Sequence, residues 1–130
     1  MQREAARRKN EGGWRHAFVA FVYSWRGLRA AWCHEVAFRQ EVIVFVLALP
    51  AAWLLGRTSS ERALLVAVTL AVLVVELLNS AIEAVCDLVH PEAHPLVARA
   101  KDLGSAAVLL SIACAALVWG GVLWLRFVGG

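Results

Sequence analysis

Between residues 74 and 88 the chain reads VVELLNSAIEAVCDL, a continuation of an apolar run that carries Glu76, Asn79, Ser80, Glu83 and Asp87. At about 100° per residue these five fall within an arc of roughly 100°, one stripe along one face of a helix. An acidic residue at mid-bilayer costs about 2.5–3.5 kcal/mol, so the stripe must face a polar interior, a metal or a water-filled cleft. Interhelical hydrogen bonding alone accounts for Asn79 and Ser80 but leaves two glutamates and an aspartate without a role. Two further clusters lie at the same depth. HEVAFRQE supplies Glu35, Arg39, Gln40 and Glu41, and ARAKDLGSAA supplies Lys101, Asp102 and Ser105. Carboxylates, one lysine and amides at a membrane surface suit Mg²⁺ and phosphates: carboxylates hold the metal, Lys101 answers phosphate charge, and one carboxylate accepts a proton. Neither G-x-x-x-x-G-K-[ST] nor G-x-G-x-x-G occurs, so a nucleotide would bind without the common phosphate cradles.

These residues need an apolar frame. The 130 residues suffice for one domain, are 61% hydrophobic, and have a mean hydropathy of +0.66. Uncharged runs occupy residues 42–55, 63–75 and 103–125. The last is long enough to cross a bilayer, which takes about 20 residues, and has no polar face for water. The first two cross only if flanking polar residues lie at the membrane face or inside a bundle. Pro50 predicts a kink, which bilayer helices tolerate. Upstream, Trp14, Phe18, Phe21, Trp25, Leu28 and Trp32 recur at three- and four-residue spacing with arginines largely off that face, which predicts an amphipathic helix in the interface. The expected organisation is a basic tail over 1–13 and one membrane-embedded domain over 14–130. Within it we expect a surface helix at about 14–35 and spans at about 36–56, 62–88 and 101–126.

No cleavable leader is visible. Arg3, Arg7, Arg8 and Lys9 in the tail, with Arg99 and Lys101 in the second linker, place the N-terminus and that linker in the cytoplasm. The first linker and the C-terminus then lie outside, with Trp53, Trp119 and Trp124 in an outer aromatic belt. The net charge of +3 suits an anionic leaflet, and nothing resembles a nucleic-acid-binding motif. Cys33, Cys86 and Cys114 lie on separate apolar segments and read as small hydrophobes, not as a disulfide framework or metal site.

The pattern YSWRGLRAAW…E.AFRQE…VELLNSAIEAV.D…E.H.L..RAKD.GSAAVL resembles the prokaryotic diacylglycerol kinase family over about residues 16–125. The resemblance implies an all-α homotrimer of three-span subunits, each with an amphipathic surface helix, in the bacterial inner membrane. It implies transfer of the ATP γ-phosphate to the hydroxyl of diacylglycerol at the cytoplasmic interface, with Mg²⁺ as cofactor. By position, Glu76 is the expected general base, and Glu35 and Glu83 are the expected Mg²⁺ ligands beside the nucleotide. His16, Tyr23, Glu92, His94, Lys101 and Asp102 match nucleotide-contacting positions, and Arg29, Arg39, Gln40, Glu41, Asn79 and Ser105 match the lipid and phosphate site. His16 stands where the best-known members have arginine, and His34 replaces an asparagine found in some.

Two rivals remain at this level. The related undecaprenol kinases share the fold and acidic helix but usually read KD.AAGAV where this chain reads KDLGSAAV, which favours diacylglycerol as acceptor. A small proton- or cation-coupled transporter would also place glutamates in a span, but needs them reachable from both sides, whereas these crowd one interface.

Overall fold

A computed structural model describes residues 2–89 and 94–129, with side chains from Trp14 onward. Among the described residues four helices follow one another: α1 (Gln2–His34), α2 (Val36–Leu55), α3 (Ser59–Val89) and α4 (Pro95–Phe127). The helix α1 forms one compact unit, and the residues from Glu35 onward form a second. Among the described residues there is no strand. The class is all-α, and α2, α3 and α4, with 20, 31 and 33 residues, are long and apolar enough to cross a membrane. Large apolar side chains such as Leu54, Leu109 and Leu117 stand exposed, at 72%, 68% and 76% of their surface. Water would not tolerate so continuous a patch, and lipid does.

Each helix boundary has a local cause. Glu35 adopts an extended backbone (φ −106°, ψ 117°), which ends one helix before the next begins at Val36. Pro50 lies inside α2 without terminating it, the tolerance expected of a bilayer helix. Gly56 closes α2, its N–H donating to the Ala52 carbonyl at 3.0 Å. A Cβ at Gly56 would stand 2.6 Å from Arg62 Cγ and 2.9 Å from the Ala52 oxygen, so only glycine fits this turn. Arg62 then locks it, donating to the Gly56 carbonyl at 2.9 Å with its guanidinium 4.4 Å from the Trp53 ring centroid. The start of α3 is a near capping box. Thr58 Oγ1 accepts the Glu61 N–H at 3.1 Å, and the Glu61 carboxylate accepts the Arg57 N–H at 2.7 Å. For α4, His94 Nδ1 accepts the Leu96 N–H at 3.2 Å, with Pro95 in the first turn.

Within the second unit α3 is central, packing along both α4 and α2, while α2 and α4 barely touch. One buried cluster is Ala52, Leu65 and Val122, with Val66, Val118 and Trp119 packed around it. Arg57 donates to the Arg126 carbonyl at 3.1 Å, which puts the first linker and the end of α4 at the same end of the unit. The arginines of that linker are thus bound to carbonyls as clasps. One expectation is corrected here. Trp53 and Trp124 are exposed, but Trp119 turns inward and donates from Nε1 to Thr69 Oγ1 at 3.0 Å; Thr69 itself donates to the Leu65 carbonyl at 2.8 Å. A buried hydroxyl with a spare lone pair draws the indole N–H away from the lipid boundary. Cys33, Cys86 and Cys114 form no disulfide.

Candidate active site

The polar stripe of α3 is graded in depth. Glu76 and Asn79 are buried, with 5% and 9% of their surface exposed, Ser80 and Glu83 are half-buried, and Asp87 is exposed. Asn79 Nδ2 donates to Glu83 Oε1 at 3.0 Å, one helical turn along. Alongside stand Glu35, half-buried at the head of α2, and Glu41, one of whose carboxylate oxygens is covered and has no hydrogen-bond partner. Glu76 lies in the fields of Glu83 and Glu35, and Glu41 in the field of Glu76. The carboxylates of Glu35, Glu41 and Glu83 are thus coupled through space to a fourth, Glu76. Like charges brought together away from water repel, and only a cation or a shared proton relieves them.

The third cluster arrives on α4. Lys101 Nζ lies 2.6 Å from Asp87 Oδ1, an exposed ion pair that also sits in the field of Glu83. The lysine expected at the phosphates is thus held by the last carboxylate of the stripe. Exposed pairs of this kind are weak, so a phosphate can displace Asp87. Asp102 and Ser105 are exposed, and Gln40 is exposed on α2 beside half-buried Arg39. His94, expected at the nucleotide, caps α4. The expected residues His16, Tyr23 and Arg29 are exposed on α1, where the Arg26 guanidinium lies 5.8 Å from the Tyr23 ring centroid. Glu92 lies outside the described residues. Between α2 and α4, an almost wholly apolar cavity of about 550 Å³ runs from Glu41 past Leu47 and Ala51 to Thr69 and Trp119.

Comparison with known proteins decides the family. The family model described as prokaryotic diacylglycerol kinase matches residues 22–123. The chain belongs to the prokaryotic diacylglycerol kinase family. It is similar to the diacylglycerol kinase of Escherichia coli strain K12, 48% identical over 118 residues, covering 91% of this chain and 97% of that one. The diacylglycerol kinase of Pseudomonas aeruginosa is 45% identical over 115 residues (88% and 94%), and that of Haemophilus influenzae 40% over 112 (86% and 95%). For the prokaryotic diacylglycerol kinase family, the match spans the acidic helix, both flanking clusters and most of α4, so the resemblance read from the motifs holds.

A kinase of this family handles phosphates, and the donor set fits a hard cation. Glu35 and Glu83 offer carboxylate oxygens within the field of Glu76, while among the described residues no group of three or more His, Cys, Asp or Glu could hold a metal alone. Mg²⁺ commonly takes one or two carboxylates and completes its shell with phosphate oxygens and water. One residue of the site has no chemical group to announce it. Gly104, buried on α4, lies against Asn79 so closely that a Cβ there would overlap the amide oxygen. The available signal is a glycine deep in a helix, where it is costly unless another group must come close.

Proposed function

We propose that this chain is an ATP-dependent diacylglycerol kinase of the bacterial inner membrane. The observation that carries the reading is the coupling of Glu35, Glu41 and Glu83 to buried Glu76, at the polar end of a membrane-spanning helix. The diacylglycerol hydroxyl approaches Glu76, and the apolar cavity beside Glu41 gives one acyl chain a path into the bundle. Glu76 accepts the hydroxyl proton as the oxygen bonds to the γ-phosphorus. The bond from that phosphorus to the bridging oxygen breaks, and ADP leaves with the electron pair. Glu35 and Glu83 would hold Mg²⁺, which when bound neutralises charge on the nucleotide phosphates. Lys101 exchanges Asp87 for the same phosphates, and Asn79 keeps Glu83 oriented. The burial that shields Glu76 from water also favours transfer to a lipid hydroxyl over hydrolysis.

In this reading α1 lies in the cytoplasmic interface, the N-terminus is cytoplasmic and the C-terminus periplasmic. The working assembly is a homotrimer, since a single three-span subunit has few walls with which to enclose ATP. The acceptor is tested by supplying purified protein in detergent with radiolabelled ATP and equal mole fractions of diacylglycerol and undecaprenol. Label in phosphatidic acid is the expected result. Label in undecaprenyl phosphate alone would reassign the acceptor.

A further inference from the structure

We propose that Gly104 is a positioning residue for Glu83, acting through Asn79; the inference rests on the reading that Glu83 serves MgATP. Nothing in the backbone calls for glycine at this position. No glycine among the described residues has positive φ, and Gly104 lies ten residues into a continuous α4, where any good helix former would be preferred. The reason is space. A Cβ at Gly104 would overlap Asn79 Oδ1 and come within 3.3 Å of Asn79 Cγ, whereas the α3 backbone, at Asn79 Cα, stays at an ordinary 3.9 Å. The two helices could therefore accept alanine. The Asn79 amide could not.

The amide has a single useful orientation. Its Nδ2 donates to Glu83 Oε1 at 3.0 Å, and its Oδ1 is buried with no hydrogen-bond partner, seated in the notch that the missing Cβ leaves. Flipping the amide would turn its oxygen onto the Glu83 carboxylate, a repulsive contact. A glycine Cα–H, a weak donor, is the neighbour that this oxygen has instead. Leaving a polar atom so poorly satisfied is worthwhile only if its other end has a task, and that end fixes Glu83 beside Glu76. A methyl at position 104 forces the Asn79 side chain to rotate, breaks its bond to Glu83, and lets that carboxylate swing.

The test is a double-mutant cycle on the full-length protein in detergent: wild type, Gly104→Ala, Asn79→Ala and the double variant. The readouts are KM for MgATP, KM for diacylglycerol, kcat and the midpoint of thermal unfolding. Gly104→Ala is expected to raise KM for MgATP about tenfold, with KM for diacylglycerol changed by less than about twofold. In the Asn79→Ala background the same substitution is expected to change KM for MgATP by less than about twofold and to leave the unfolding midpoint unchanged or raised. Equal effects in both backgrounds would overturn the proposal, since Gly104 would then matter only for helix packing. Should Gly104→Ala alone fail to fold, recovery of folding in the double variant supports the notch, and no recovery overturns it. If Glu83→Gln leaves KM for MgATP unchanged, the assignment of Glu83 fails. The coupling of Gly104 to Asn79 is then read in the unfolding midpoint, where its absence overturns the positioning role.

Discussion

Replacing Glu76 by glutamine separates catalysis from packing more cleanly than any other single change. The side chain is 5% exposed and lies in the fields of Glu35 and Glu83, with Glu41 in its own. Glutamine keeps its volume and one acceptor oxygen but cannot take a proton. Loss of a general base lowers turnover by about 10² to 10⁴, or roughly 3–5 kcal/mol on the barrier at 1.36 kcal/mol per decade. Stability should move the other way. The substitution removes a buried carboxylate that repels those of Glu35, Glu41 and Glu83, so the unfolding midpoint should hold or rise. Steady-state ADP release, MgATP binding and thermal unfolding are measured on the same preparation. The expected triad is a collapsed kcat, nucleotide affinity within about twofold of wild type, and an unchanged or higher midpoint. Near-normal turnover would refute the assignment of Glu76. A lower midpoint with normal turnover per folded molecule would show that the stripe serves helix association instead.

Glu83→Gln should differ in kind, raising KM for MgATP, with part of the rate recovered as Mg²⁺ is increased in kinetic titrations. Trp119→Phe removes the donor to Thr69, whose hydroxyl keeps its bond to Leu65, so only an acceptor lone pair is left empty. Thermal unfolding should register a loss of about 0.6 kcal/mol for the hydrogen bond between membrane helices, plus the packing that the smaller ring gives up against Ala52, Leu65 and Val122, with kcat unchanged. A reporter fused after Arg126 should be active on the periplasmic side, as the arginine-rich N-terminus requires; cytoplasmic activity would invert the topology.

The spans were legible because uncharged residues run unbroken over 42–55, 63–75 and 103–125; the last alone has the length of a bilayer crossing, and flanking residues extend the other two into helices of 20 and 31 residues. The acidic stripe was legible because helical geometry converts the spacing of Glu76, Asn79, Glu83 and Asp87 into one face, whatever packs against it. Partner choice was not. Lys101 has several carboxylates within plausible reach, and its pairing with Asp87 depends on the register of α3 against α4, which spacing within either helix does not encode. Trp119 reads as a boundary residue until the buried hydroxyl of Thr69 is known to face it. The capping role of His94 was available, since a side-chain acceptor followed by proline marks a helix start, but the family resemblance offered it only as a nucleotide contact, a role that capping does not exclude. Gly104 is silent in one dimension, because what matters is the atom it lacks.

The most direct test of the account is the fate of the γ-phosphate. Purified protein in detergent micelles containing diacylglycerol is given Mg²⁺ and ATP labelled at the γ-phosphorus, and labelled lipid is counted against ADP formed. One labelled phosphatidic acid is expected for each ADP, with both products falling together in Glu76→Gln. ADP released without labelled lipid, or no ADP at all from folded protein, would contradict it.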